Sequence, residues 1–249
     1  MTAPYRLDEL THRGWPALES VEVDGWLVRL AQGVTQRANS VLPLRAPRDL
    51  SAAVEEVERI YRQRGLTPTF QISPAAQPAG LDDLLADRGY AVRTPTVIQV
   101  ADVSTALRRL LTSAVAASVE TAPDEDWMRL WWSIDGRGGA QARAVASRLL
   151  TGGPALYGSI RDSTGVTAVA RLALVEEWAG VFCMAVRPDA RRRGYGRAVL
   201  RTLLEQAASH GATRAWLQVL DGNHGARALY GDAGFAAASS YHYRSASSP

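Results

Sequence analysis

The stretch Val186-Arg187-Pro188-Asp189-Ala190-Arg191-Arg192-Arg193-Gly194-Tyr195-Gly196-Arg197-Ala198 decides how this chain is read. An apolar run over Val181 to Val186 ends at Pro188, which keeps the chain extended and stops a helix from starting early. Three arginines and a Gly-x-Gly pair follow. A helix is then expected over about 195–209, because apolar pairs recur at Val199-Leu200, Leu203-Leu204 and Ala207-Ala208. Arg197 and Arg201 lie off that buried face, and Gly211 supplies the stop. A strand that turns through an arginine-glycine loop into a helix is built to hold an anion. The first N–H groups of a helix have no partner, the helix dipole adds partial positive charge, and glycine lets the main chain come close to a phosphate. Arginine side chains add charge-assisted bonds to the same anion.

Other phosphate loops do not fit. A dinucleotide fold places a third glycine where Val199 stands, and a Walker loop needs a lysine. The chain has no lysine at all, so all 28 basic residues are arginine, and Schiff-base chemistry is excluded with the Walker loop. The single Cys183 allows no internal disulfide, and without a partner histidine it reads as a small core residue rather than a nucleophile. His12, His210, His224 and His242 are too scattered to hold a metal, so none is expected. Net charge is only +3 with one dense arginine cluster, too narrow a footprint for a nucleic-acid partner. No apolar run approaches the roughly 18 residues of a membrane span, and the N-terminus lacks a signal-peptide core, so a cytoplasmic protein without a membrane partner is expected.

Working outward, the second half reads as a strand at Ala117 to Thr121, helices near 124–134 and 139–150, and strands near 155–161, 166–175 and 178–186. The helix after the loop precedes a strand at Ala215 to Leu220, a short helix from Gly225 to Asp232 and a last strand at Phe235 to Tyr243. The first half reads β-β-α-β-α-β: strands at Gly25 to Leu30 and Asn39 to Leu44, a helix over 49–64, a strand at Thr69 to Ile72, a helix at Leu81 to Asp87 and a strand near Thr96 to Val100. A linking helix is expected within 101–113. Leu84-Leu85-Ala86-Asp87-Arg88-Gly89-Tyr90 aligns with Leu229-Tyr230-Gly231-Asp232-Ala233-Gly234-Phe235, and the same element order precedes each. The chain is therefore expected to be α/β, with two copies of one mixed-sheet fold, at 1–105 and 106–249.

The pattern Arg191-x-x-Gly194-x-Gly196 after a strand resembles the coenzyme A loop of the GCN5-related N-acetyltransferase (GNAT) family. Val219, Asn223, Ala226, Leu229-Tyr230 and Gly234-Phe235 match that family's second signature in type and spacing. The resemblance implies transfer of acetyl from acetyl-CoA, as co-substrate, to a primary amine of a small molecule or peptide, by direct attack in a ternary complex. It implies that Met184 and Val186 pair with the pantetheine arm, that Arg191, Arg192, Arg193, Gly194, Tyr195, Gly196 and Arg197 hold the pyrophosphate, and that Asn223 bonds the arm. Tyr230 takes the family's general-acid position. The strand from Val181 to Val186 lacks the glutamate that relatives often carry, leaving Glu176 or Glu177 just before it, or a water chain, as base; a plain surface turn explains that pair equally well. The missing glutamate also admits a non-catalytic acyl-CoA-binding regulatory module.

The first half has Leu85 where the second has Tyr230, and Arg45-Ala46-Pro47-Arg48-Asp49 where the second has its glycine loop. It reads as a degenerate copy that shapes the acceptor cleft. Trp127, Trp131 and Trp132 fit either a cleft wall or core, and Arg37 and Asn39 either a turn or an acceptor contact. The protein is expected to be a monomer or homodimer.

Overall fold

The computed structural model describes residues 4–111, 115 and 117–247. From the N-terminus the chain forms α1 (Pro4–Gly14), β1 (Glu19–Val23), β2 (Trp26–Leu30), β3 (Val41–Pro43), α2 (Leu50–Gln63), β4 (Thr69–Ile72), α3 (Leu81–Asp87), β5 (Ala91–Asp102) and α4 (Val103–Arg109). The second half continues with β6 (Ser118–Glu120), α5 (Glu125–Asp135), α6 (Ala140–Leu150), β7 (Ala155–Asp162), β8 (Gly165–Val175), β9 (Trp178–Val186), α7 (Tyr195–Ser209), β10 (Arg214–Leu220), α8 (His224–Asp232) and β11 (Ala236–Ser245). The α/β class and mixed sheet expected from the sequence are present.

The repeat is visible down to single hydrogen bonds. α3 and α8 both end on a glycine at positive φ, Gly89 (79°) and Gly234 (92°), a conformation that costs glycine nothing. In each, the N–H of the following aromatic reaches back to the equivalent carbonyl, Tyr90 to Leu85 at 2.9 Å and Phe235 to Tyr230 at 3.0 Å.

The eleven strands among the described residues form one sheet in the order β1-β2-β3-β4-β11-β5-β10-β9-β8-β7-β6. Each half contributes a parallel pair, β3 with β4 and β9 with β10. The closing strands are exchanged: β11 runs antiparallel to β4 of the first half, and β5 runs antiparallel to β10 of the second. β5 and β11 pair with each other at the centre.

Several elements differ from the sequence reading. β5 is twelve residues rather than five, because Pro95 falls in an irregularity beside Thr94 (φ 48°), where the ladder asks for no donor. α1 and β1 were not expected. The linking helix is the short α4; positions 112–113 of the expected span lie outside the described residues.

Helices cover both faces of the sheet. Leu7, Leu10 and Trp15 of the N-terminal segment pack with Trp127, Trp131 and Leu149 over β8 and β9, while Val199, Leu200 and Leu203 of α7 pack on the opposite face. Trp127 and Trp131 are thus largely core. The first half has its own cluster, centred on Trp26, Val57 and Phe70 under α2. No described helix is long and apolar enough to cross a membrane.

Candidate active site

The arginine-glycine turn is open. Among the described residues, the six successive backbone N–H groups from Arg192 to Arg197 make no hydrogen bond; the first bond into α7 is Ala198 to Gly194 at 3.0 Å. Arg192 (φ 64°) and Gly194 (φ 82°) both sit in the left-handed region, a concave arrangement of amides suited to an anion. Gly194 is the N-cap of α7 and brings no side chain to satisfy those donors. A Cβ on Gly196 would lie 3.3 Å from Leu229 Cδ1, so glycine there keeps α7 close to α8.

Beside the turn the sheet splits. β9 and β10 pair only from Trp178–Arg214 to Val181–Leu217, and then separate. Cys183 (φ 54°) marks the departure, opposite a register shift in β8. The split opens two adjoining cavities. One, of about 740 Å³, is lined by Val186, Arg191, Arg192, Gly194, Tyr195, Gly196 and Arg197, and Arg193 lies outside it. The other, of about 430 Å³, lies between the halves and is lined by Trp15, Arg37, Trp131, Cys183, Tyr230, Tyr241 and Tyr243, among others. Met184, Asn223, Ala226, Leu229 and Asp135 line both, so the groove is continuous from the glycine turn to Tyr230. Asn223 stands at this junction, and its side-chain oxygen accepts from Ala226 N at 3.1 Å to cap α8.

Tyr230 is 7% exposed. Burial, and then the charge of Asp135, push its hydroxyl well above the ordinary phenol range, and it makes no hydrogen bond among the described residues. It stays protonated and free to donate. Cys183 is held neutral by burial, which raises its thiol to about 12, so it is no nucleophile.

The carboxylate at the centre of the groove is one that sequence reasoning missed. Asp135 ends α5 and is, among the described residues, the only acidic one lining the smaller cavity. Solvent in the cleft reaches it, but the protein mass around it raises its carboxyl above the usual range, against the pull of Arg137, the Trp131 indole and Arg37. The available signal was helical spacing: Trp127, Trp131 and Asp135 stand at i, i+4 and i+8, so an acid continues the tryptophan face.

Glu176 and Glu177 lie elsewhere. They form the turn between β8 and β9, about 20 Å from Cys183 along an extended strand. Glu176 is ion-paired with Arg6 and Arg13, which hold its carboxyl below the usual range. The Glu177 carboxylate accepts from Trp178 Nε1 at 2.9 Å. Neither lines the groove.

The first half supplies a wall of the smaller cavity. The loop after β2 is tied by Asn39, whose side chain accepts from Ala31 N and Gly33 N and donates to Val34 O and Thr35 O, all within 2.8–2.9 Å. Asn39 is therefore a loop residue, whereas Arg37 faces the cavity.

Comparison with known proteins agrees with this architecture. The family model "Probable histone acetyltransferase Rv0428c C-terminal" matches residues 5–244. The uncharacterized N-acetyltransferase YobR of Bacillus subtilis is 30% identical over 246 residues, covering 96% of this chain and 97% of that protein. The probable histone acetyltransferase Rv0428c of Mycobacterium tuberculosis is 29% identical over 227 residues, 86% of this chain and 65% of that protein. Among solved structures, a GCN5-related N-acetyltransferase from Kribbella flavida superposes with a TM-score of 0.74 at 15% identity, covering 100% of this chain and 97% of the other. A tandem GNAT protein from the clavulanic acid biosynthesis pathway gives 0.63 at 16% identity, over 79% of this chain and 69% of that one. At such identities the structural likeness speaks for the fold, including its tandem arrangement.

Proposed function

The chain belongs to the GCN5-related N-acetyltransferase family, and on that premise we propose that it moves the acetyl group of acetyl-CoA onto a primary amine of a small molecule or peptide, by direct attack in a ternary complex. The observation that carries this reading is the run of six unbonded N–H groups opening into a groove that leads to Tyr230 and Asp135. Residues 106–249 hold the cofactor groove, and residues 1–105 wall the acceptor side.

When bound, acetyl-CoA supplies an activated acyl group and a good leaving sulfur. The amides of Arg192 to Arg197 and the arginine side chains are suited to its pyrophosphate, and the freed edge of β9 at Met184 and Val186 to its extended arm. Asp135 takes the proton of the incoming ammonium, directly or through one water, leaving a neutral nitrogen whose lone pair attacks the thioester carbon. A C–N bond forms, the C–S bond breaks, and the Tyr230 hydroxyl gives its proton to the departing sulfur; the nitrogen releases its second proton to solvent, leaving the neutral amide, and solvent restores the phenol. Asp135 replaces Glu176 and Glu177 in the base role because it stands in the groove and they do not.

Labelled acetyl-CoA with a panel of amines, read by thiol release and mass of the product, tests the proposal. Transfer by the wild type, and its loss in Asp135→Asn with coenzyme A affinity retained, is the expected result. Coenzyme A binding without thiol release for any amine would make the protein a binding module instead.

A further inference from the structure

The smaller cavity holds one carboxylate, Asp135, and one formal cation, Arg37. Arg37 makes no ion pair and no hydrogen bond among the described residues, and its Nε is shut off from solvent without a partner. Its guanidinium instead lies 5.4 Å from the ring centres of both Trp15 and Phe182. A second guanidinium, Arg171, packs on the same two rings at 5.4 and 5.5 Å and is fully buried, with one terminal nitrogen unbonded. The two aromatic rings thus carry two cations, and among the described residues Asp135 is the only carboxylate on the cavity wall. With no carboxylate of the protein paired to it, the Arg37 guanidinium leaves its outer nitrogens to an anion that enters the cavity. The four Asn39 hydrogen bonds tie down the loop that carries Arg37.

Resting on the transferase reading above, we infer that the acceptor is a small primary amine bearing its own negative charge, an amino acid or close analogue, with its anionic group on Arg37 and its nitrogen toward Asp135. A guanidinium in a fixed fork suits a carboxylate in two-point contact. The cavity volume, about 430 Å³, lies at the lower end for small-molecule sites. Trp131, Tyr241 and Tyr243 leave room for an apolar or aromatic side chain. Polyamines and lysine-rich peptides bring several positive charges to a cavity with a single carboxylate and with two guanidinium groups on its Trp15 and Phe182 rings, and are disfavoured.

The test uses the full-length protein, labelled acetyl-CoA and thiol release, with phenylalanine, glycine and β-alanine each set against its own amide, and with phenethylamine, spermidine and a lysine-rich peptide as further arms. The wild type is expected to favour the free acids over their amides by about tenfold or more in kcat/KM. In Arg37→Gln that preference collapses through KM, and Arg37→Lys keeps part of it. Should Arg37→Gln fail to fold, the acid-against-amide ratio of the wild type decides alone. Transfer to amides as fast as to acids, or preference for spermidine or the peptide, overturns the acceptor class and leaves the transferase standing. No thiol release with any arm, while coenzyme A still binds, overturns both.

Discussion

The turn from β9 into α7 and the turn from β3 into α2 occupy equivalent places in the two halves, and they treat anions in opposite ways. After β9, the N–H groups of six residues are unbonded and the helix cap is a bare glycine. After β3, the protein supplies its own carboxylates. Asp49 caps α2 by accepting from Ala52 N at 3.0 Å, and Asp24 accepts from Arg48 N at 2.7 Å and also from the amide of Asp49. A helix start attracts negative charge in either case. After β3 the chain itself supplies that charge, and after β9 it does not.

The sharpest way to break this contrast is to give the open turn what the closed one has. Gly194→Asp puts a carboxylate at the cap of α7, in a left-handed conformation that aspartate tolerates. Calorimetry should find coenzyme A affinity weakened by roughly 10³-fold or more, with circular dichroism unchanged; wild-type affinity in this variant sinks the anion-cradle reading. Next, Asp135→Asn should lower kcat/KM by roughly 10²-fold or more while coenzyme A binding holds. The raised Asp135 carboxyl sets the sign of the pH profile: only the deprotonated form takes a proton, so activity falls as pH drops through a value above the ordinary carboxylate range. That acidic limb disappears in Asp135→Asn. Tyr230→Phe should reduce kcat by about 10- to 100-fold, whereas Leu85→Tyr at the matching place in the first half adds nothing to turnover. Smallest of all, Asp49→Ala removes a cap worth about 1 kcal/mol, lowering Tm by a few degrees. Titration should still find one coenzyme A per chain, because Asp24 continues to fill the turn.

Features written in local backbone geometry were readable in the sequence. Gly194 and Gly196 after a proline-bounded strand announced an open helix start, and Gly89-Tyr90 matched Gly234-Phe235 because both close a helix by the same bonds. What depends on distant parts of the chain was not readable. Asp135 enters the groove only when the end of α5 is brought beside Met184 and the loop carrying Arg37. Glu176 and Glu177 are candidates by closeness in sequence to the right strand, with a plain turn explaining them equally well, but a strand has two ends and they stand at the far one. The exchange of β5 and β11 leaves no trace in element order, since hydrophobic alternation shows that a segment is a strand and not which neighbour it takes.

That exchange has a consequence for how the molecule is made. When synthesis has passed Asp102, β5 exists, but both of its neighbours, from Arg214 and Ala236 onward, are still more than a hundred residues away. The nascent first half carries open sheet edges until the ribosome has delivered almost the whole polypeptide. Such edges invite mispairing with other chains, so survival during translation depends on the tail arriving promptly. Pauses placed in the last fifth of the message should therefore harm yield more than pauses near the middle.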